Sequence, residues 1–403
     1  MRVSASRQAA GADDAARAAR SVNAAAVELY KVLDREDGNV VFSPSSIETA
    51  LSMALQGARG ETAAQMAKVL HSADPRQLAS AMNGLDRLLH SRNGERTDTD
   101  HHKGHIELDN ANSLWGQQGE PFEKRFLTTL AEQYGTGMHT VDYKKATEQA
   151  RRAINGWVAD NTHHRIKELI PANSLDSVTR LVLVNALYFK APWNSPFDKA
   201  GTAPRDFHRL DGSTVKAPLM SLDTHLSYGH GQGWESVSMP YAGNELAMTV
   251  IVPNEGRFDE VERTLDAGEL GRTLAGGQDR QVMLKLPKFD FRQRFELSKT
   301  LRQLGMVVPF DDSGLADFKG IVSDPKKPLY ISKVHHQATI TVDEKGSEAS
   351  AATSVEMGQA GAASGPRPPK PVVLTVDRPF LFAIHDISTG AVLFMGRVVD
   401  PTK

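Results

Sequence analysis

In residues 347–358, small or apolar side chains alternate with mostly polar ones, and the chemistry open to such a segment is main-chain hydrogen bonding. One face carries Ser347, Ala349, Ala351, Thr353, Val355 and Met357, and the other carries Glu348, Ser350, Ala352, Ser354, Glu356 and Gly358. A period of two is typical of a half-buried strand. Ala, Ser, Glu and Gly are nevertheless poor strand formers, so local propensity does not hold the segment in a sheet. The pattern predicts a strand that forms conditionally.

Other chemistries lack their sequence signatures. The chain contains no Gly-x-Ser-x-Gly, no His-Glu-x-x-His and no phosphate-binding loop, which argues against an enzyme of those classes. His101, His102 and His105 suggest a metal site, but their surroundings do not have the spacing of a zinc-type site, so a solvated loop is preferred. A Gly-x-Gly-x-Gly string at 229–233 follows no strand–turn–helix pattern and is interpreted as a turn. We therefore expect no metal, no cofactor and no enzymatic activity.

Strands of a buried core are predicted on both sides of the alternating segment. Residues 330–342 precede it, and residues 372–384 and 392–399 follow it, all rich in apolar, β-branched and aromatic side chains. Composition alone favours a linker, because Ala, Gly and Ser dominate. Two or three following strands are too few for a further domain, however. We interpret the segment as an exposed loop that emerges from one folded domain.

The preceding part of the chain mixes helices and strands. Periodicity predicts an amphipathic helix from residue 13 to 35 and another from 145 to 160. The uninterrupted apolar run at 181–189 is typical of a central strand that is covered on both faces. The folded domain is expected to span residues 21–403, behind a disordered N-terminal segment at 1–20.

Several independent motifs resemble those of the serpin family, in the family's order over about residues 21–403. The motifs resemble the reactive-centre hinge (343–353), the start of the second helix (42–47), the point where loop insertion begins (191–197) and the C-terminal signature (378–382 and 393–398). The resemblance implies an α+β fold with three β-sheets and eight or nine helices. It also implies an exposed reactive-centre loop at about 344–371.

The resemblance further implies a suicide substrate of a serine protease, or sometimes of a cysteine protease. The protease forms an acyl-enzyme on the loop. The freed loop then inserts as a new strand between the strands near Val182 and Ile340, and the displaced protease cannot deacylate. Small hinge side chains are needed because bulky ones would block entry. The implied hinge residues are Glu344, Gly346, Ser347, Glu348, Ala349, Ser350, Ala351, Ala352 and Thr353.

Two further sites follow from the resemblance, and both concern the opening of the main sheet. The family's shutter positions are occupied by Ser43, Ser46, Asn185 and His336. Hydrogen bonds within such a buried cluster can be re-paired as strands separate. Trp193 and Glu344 occupy the breach, where the loop first enters, and Lys288 is the expected ionic partner of Glu344.

The resemblance also implies the position of the reactive bond, which is found by counting the family's usual number of residues from Glu344. This places the attacked bond between Ala360 and Gly361, with Met357, Gln359 and Ala363 as alternatives. The alternatives stay open because the segment after the bond is longer than is usual in the family. Arg367 and Lys370 would suit a trypsin-like pocket, but a proline follows each of them. The small side chains favour an elastase-like or subtilisin-like protease with a shallow pocket.

Charge and composition limit the partners. With a formal net charge of −2 and no apolar run of membrane-spanning length, we expect no nucleic acid and no membrane partner. We expect a monomer that meets a target protease.

Residues 1–20 lack the apolar core of a signal peptide, so we expect a secreted or periplasmic protein whose signal peptide is absent here, with a cytoplasmic location as the alternative. The alternative function is a non-inhibitory serpin with a carrier, storage or chaperone role.

Overall fold

A computed structural model describes residue 1 and residues 3–33, 38–324, 329–347 and 370–403. Within these ranges the chain forms nine α-helices, which confirms the α+β fold together with the strands below. The helices are α1 (Asp14–Val32), α2 (Pro44–Leu55), α3 (Gly60–Val69), α4 (Pro75–Ser91), α5 (Lys124–Tyr134), α6 (Tyr143–Asp160), α7 (Phe258–Thr264), α8 (Ala267–Leu274) and α9 (Ser298–Gln303). None of these nine helices is long and apolar enough to cross a membrane.

Sixteen strands are described in the same ranges. They are β1 (Val40–Phe42), β2 (Gly94–Thr97), β3 (Lys103–Gln117), β4 (Met138–Val141), β5 (Leu181–Pro192), β6 (Asp198–His208), β7 (Thr214–Gly231), β8 (Trp234–Pro240), β9 (Leu246–Pro253), β10 (Gln278–Pro287), β11 (Phe289–Glu296), β12 (Lys333–Asp343), β13 (Gly346–Ser347), β14 (Val372–Thr375), β15 (Phe380–Asp386) and β16 (Val392–Val398).

The strands pair into two hydrogen-bonded sheets. The main sheet has the order β11-β12-β13-β5-β3-β2, with β4 beside β3. The second sheet has the order β1-β16-β15-β9-β8-β7-β10-β14, with β6 beside β7. β7 pairs with β8 at its end and with β6 and β10 along its earlier part. The long strand β7 therefore joins the two smaller sheets that the resemblance implies.

The central strand β5 is covered on both faces, as its apolar run predicts. Leu181, Leu183 and Leu187 pack into the main core, which also contains the buried side chains of α2. Val182 and Val184 lie on the opposite face, because successive strand side chains alternate, and they join a second cluster with the apolar side of α6. α6 therefore lies over the sheet that the proposed loop insertion would have to open.

The helix predicted at 13–35 is present as α1, and it overlaps the end of the segment at 1–20 for which disorder was predicted. Helix α1 begins at Asp14, and the residues before it contact the body of the protein. The Gln8 N–H donates to the Glu132 carbonyl at 2.9 Å, and the Arg7 guanidinium lies 2.7 Å from the Asp86 carboxylate. The polar partners that hold this segment lie on α4 and α5, far from it in sequence, so its own composition does not reveal them.

Candidate functional site

The predicted shutter residues lie together at the centre of the main sheet, where α2 begins. Ser43 caps α2, since its side chain accepts a hydrogen bond from the Ser46 N–H. The Ser43 N–H donates to Nε2 of His336 at 2.9 Å, and Nδ1 of His336 bonds Oδ1 of Asn185. His336 and Asn185 are directly opposite on β12 and β5. Ser46 bonds a residue outside the predicted set, because its hydroxyl donates to Oδ1 of Asn112 on β3 at 2.7 Å.

The shutter cluster is uncharged. Burial lowers the pKa of His336 to about 3, although the hydrogen bond with Asn185 acts to raise it. Since Nε2 accepts from Ser43, the proton of the neutral ring is on Nδ1 and is donated to Asn185. The cluster thus ties β12, β5 and α2 together through neutral hydrogen bonds, which cost less to break than a buried ion pair.

At the breach, Trp193 forms two hydrogen bonds with the chain at the end of β12. Its indole N–H donates to the carbonyl of Asp343 at 2.9 Å, and its main-chain N–H donates to the carbonyl of Lys345 at 2.9 Å. The ring is fully buried and stacks on Tyr241 with a centroid distance of 4.5 Å and an interplanar angle of 8°. Trp193 therefore fixes the turn that connects β12 to the hinge.

Glu344 is buried in that turn and paired as predicted. Nζ of Lys288 lies 2.8 Å from Oε2 of Glu344, and the Thr202 hydroxyl donates to Oε1 at 2.9 Å. Burial acts to raise the pKa of the Glu344 carboxyl, but the hydrogen bonds from Lys288 and Thr202 outweigh it and lower the pKa below its usual value. The carboxylate is therefore charged at neutral pH and holds the base of the loop.

The first hinge residues lie between two strands of the main sheet. Gly346 and Ser347 form β13, which pairs with the end of β12 on one side and with Ala191 and Pro192 of β5 on the other. A Cβ atom on Gly346 would lie 2.1 Å from the Ala191 carbonyl oxygen, so this close approach requires glycine. Ser347 is 2% exposed, and its hydroxyl lies 2.7 Å from that of Tyr241.

The remaining predicted loop residues lie outside the described residues. These are the hinge positions Glu348, Ala349, Ser350, Ala351, Ala352 and Thr353, and the reactive-bond candidates Ala360, Gly361, Met357, Gln359 and Ala363. The loop rejoins the described chain at Lys370, ahead of β14, which runs parallel to β10. The reactive bond therefore stays a prediction.

Beyond the hinge, β5 and β12 pair directly with each other. Residues 333–338 are in parallel register with residues 182–187, whereas Val342 and Asp343 pair with β13 instead. The two strands form a fork, with β13 between its tips and direct pairing along its stem. No strand lies between the two stem segments, all of whose residues are described.

Sequence reasoning missed three residues of this site, namely Asn112, Thr202 and Tyr241. Each reaches its partner across a long stretch of chain, and none lies in a motif that the sequence singled out. Tyr241 offered the strongest signal, because it directly follows the strand at 234–240 and precedes a turn. An aromatic residue at a strand end is common, however, so the signal lacked specificity.

Comparisons with known proteins agree with this geometry. A family model described as serpin (serine protease inhibitor) matches residues 20–401. An uncharacterized serpin-like protein of Thermococcus kodakarensis is 36% identical over 94% of this chain and 85% of its own length. Leukocyte elastase inhibitor A of Rattus norvegicus is 33% identical over 93% of this chain and 97% of its own length.

A solved structure gives the same result for the fold. The native-state crystal structure of tengpin, a thermophilic serpin, superimposes with a TM-score of 0.86 at 28% identity, covering 99% of this chain and 97% of tengpin. The family match spans nearly the whole chain and includes the strands, helices and loop base described above. The chain belongs to the serpin family.

Proposed function

We propose that this serpin inhibits serine proteases as a suicide substrate. In this proposal, residues 21–403 act as one domain, a protease cleaves the loop at 344–371, and the freed segment inserts as a new strand between β5 and β12. The acylated protease is then carried with the loop before it can deacylate. Three features support the proposal: the family membership, the small hinge side chains in the sequence, and the fork between β5 and β12.

The fork is the observation that carries the proposal. Two hinge residues already pair on both sides at its tips, while its stem is closed by direct β5–β12 pairing. An inserting strand would continue from Ser347 and exchange the parallel pairing for two antiparallel ladders. Antiparallel pairing is slightly more favourable per residue, and each added hydrogen bond contributes about 1 kcal/mol net. Ordering the loop costs a comparable free energy, so the burial of Val355 and Met357 and the relief of strain in the parent sheet would supply the remaining driving force.

The proposed target is an elastase-like or subtilisin-like protease. The loop sequence around 357–363 contains mainly small side chains, which suit a shallow specificity pocket. The relative from Rattus norvegicus is named as an inhibitor of leukocyte elastase. That name supports, for this chain, the same class of protease.

The test is incubation of the protein with pancreatic elastase and, separately, with a subtilisin, followed by denaturing electrophoresis and mass spectrometry. We expect a covalent complex that survives denaturation, and the mass of the released C-terminal peptide identifies the reactive bond. Cleavage without complex formation is followed by a thermal melt of the cleaved protein. A large gain in stability indicates that the loop inserts and another protease is the target, whereas no gain contradicts the inhibitory mechanism and favours the carrier, storage or chaperone role.

A further inference from the structure

We propose that Tyr241 sets the register in which the loop enters the main sheet, through the hydrogen bond between its hydroxyl and that of Ser347. The inference rests on the proposed function, because it concerns the strand whose insertion traps the protease. It assigns Tyr241 a positioning role in that step.

The Tyr241 side chain is held at a fixed position. It is fully buried, stacks on Trp193 and makes an edge contact with Phe189 at a centroid distance of 5.1 Å. Its main-chain N–H donates to the Leu246 carbonyl at 2.9 Å. Close packing of the buried ring against Trp193 and Phe189 restricts its orientation. The Tyr241 hydroxyl is thus held at a fixed position beside β13.

The Ser347 hydroxyl lies 2.7 Å from the Tyr241 hydroxyl, within hydrogen-bonding distance. Burial raises the pKa of the Tyr241 phenol far above neutral pH, so the phenol keeps its proton. A buried phenol without a partner would lose a hydrogen bond and its solvation. The pair therefore favours the arrangement in which a hydroxyl-bearing residue lies over Tyr241, and Ser347 is the residue there.

The residues beside Ser347 do not fit the same position. Gly346 has no side chain to meet the phenol, and Glu348 would bring a carboxylate into a buried site at a high cost. A slip by one residue would also turn every following side chain to the other face of the sheet. In the register set at Ser347, the inserting residues Ala349 and Ala351 share its inward face. The bond thus selects the register that buries the small side chains.

The experiment compares Tyr241→Phe, Ser347→Ala and the double variant with the unchanged protein. Insertion is followed by stopped-flow fluorescence of a dye on Ser354→Cys, since the chain has no other cysteine. The second readout is the stoichiometry of inhibition with the protease that forms the complex. Tyr228→Phe is the matched control, because it removes a phenol that donates to Glu235 at 2.5 Å, away from the hinge.

We expect each single variant to insert at least threefold more slowly and to raise the stoichiometry of inhibition. The rate of the initial attack on the loop should not change. The double variant should insert at the same rate as the single variants, because each single substitution already removes the same hydrogen bond. Ser347→Thr, which keeps a hydroxyl, should insert at the rate of the unchanged protein when Tyr241 is present. The Tyr228→Phe control should behave like the unchanged protein.

Two results separate the failure of this inference from the failure of the proposed function. If loop cleavage of the unchanged protein produces neither a dye signal nor a gain in thermal stability, insertion itself does not occur. If the unchanged protein inserts, and Tyr241→Phe inserts equally fast despite a lower melting temperature, the hydroxyl has a merely structural role and the register inference is overturned. Additive effects in the double variant would overturn it as well.

Discussion

Nζ of Lys288 lies 2.8 Å from Oε2 of Glu344 and joins the connection between β10 and β11 to the base of the reactive loop. Lys288 is partly exposed, whereas the carboxylate is 10% exposed. The Thr202 hydroxyl donates to the other carboxylate oxygen. Loss of Lys288 would therefore leave the buried negative charge of Glu344 with a hydroxyl as its remaining partner. The pair therefore contributes more than an exposed ion pair does.

Replacement of Lys288 by Met should lower the stability of the native protein by about 1.5–3 kcal/mol, the range for hydrogen bonds to charged groups. The measurement is the midpoint of thermal unfolding at a fixed scan rate. Lys216→Met is the control, since Lys216 and Asp206 form an exposed pair at 2.9 Å and surface pairs contribute about 0–1 kcal/mol. Equal losses in the two variants would contradict a special role of the Glu344 pair.

Acid should weaken the same contact. The pKa of Glu344 is lowered in the folded protein, where the hydrogen bonds from Lys288 and Thr202 outweigh the effect of burial. The stabilisation is therefore complete above the ordinary pKa of a glutamate and is lost as the pH falls through the lowered value. The unchanged protein should lose more stability than Lys288→Met between pH 5 and pH 3. If the melting temperatures of the two proteins fall in parallel over this pH range, the loss of stability does not arise from the pair of Lys288 and Glu344.

The lowered pKa of His336 should cause a second pH effect on stability, at higher pH than that of Glu344. Burial lowers its pKa to about 3, and an unfolded histidine titrates near pH 6.5. The unfolded chain thus binds the proton first, so the stabilisation by neutral His336 is complete above about pH 6.5 and declines from there toward pH 3. His336→Gln should flatten this decline, and it should cost about 1–3 kcal/mol at pH 7 because the bonds to Ser43 and Asn185 change.

His385→Gln is the matched control for His336. Burial also lowers the pKa of His385, to about 4, but its Nε2 bonds Thr249 at 2.9 Å, away from β5 and β12. Both variants should change the acid profile of thermal unfolding. The rate of spontaneous loop insertion, measured by the appearance of a heat-resistant form, should rise for His336→Gln alone. An equal rise in both variants would refute the shutter role.

The sequence predicted the central strand of the main sheet and one of the contacts at the loop base. The apolar run at 181–189 predicted a strand covered on both faces, and the expected pairing of Glu344 with a lysine such as Lys288 is present. Tyr241 was not predicted, because its contact with Ser347 spans 106 residues and depends on how two sheets meet. The docking of Arg7 on Asp86 was missed for the same reason: neither residue has a local pattern that identifies its partner.

Glu48 is a buried acid on α2 whose protonation should govern stability near neutral pH. Burial raises its pKa to about 8, although a hydrogen bond with Ser21 acts to lower it. The Ser21 hydroxyl has one proton and also bonds the Leu70 carbonyl at 2.6 Å. If that proton goes to Leu70, the protonated Glu48 carboxyl is the donor to Ser21. The carboxyl is thus expected to be neutral in the folded protein.

Because this pKa is raised, the stabilisation is complete below the ordinary glutamate pKa and is lost as the pH rises toward about 8. The contribution of Glu48 to stability should fall by about 1.4 kcal/mol for each pH unit in that window, which is opposite in sign to the contribution of His336 below pH 6.5. Glu48→Gln should abolish this dependence and melt at a higher temperature at pH 8. Glu61→Gln, at an exposed position on α3, is the control. A stability profile of Glu48→Gln that runs parallel to that of the unchanged protein between pH 5 and pH 8 would assign the titration to another group.

Ser347→Arg tests the hinge directly. Ser347 is 2% exposed and contacts the buried phenol of Tyr241, so an arginine there would have to bury a charge or leave the fork. Burial of an uncompensated charge costs several kcal/mol, which should delay insertion until the acyl-enzyme hydrolyses. We expect the inhibitor to become a substrate, with a stoichiometry of inhibition raised at least tenfold in titrations against the complex-forming protease.

Lys345→Arg is the matched control for that variant, because it places the same side chain two residues earlier at a half-buried position that already carries a cation. Its stoichiometry should equal that of the unchanged protein. If Ser347→Arg also traps protease with unchanged stoichiometry, the loop does not enter the sheet at Ser347, and the insertion mechanism is wrong for this protein. If both variants become substrates, the loss arises from added bulk near the breach rather than from a charge buried over Tyr241.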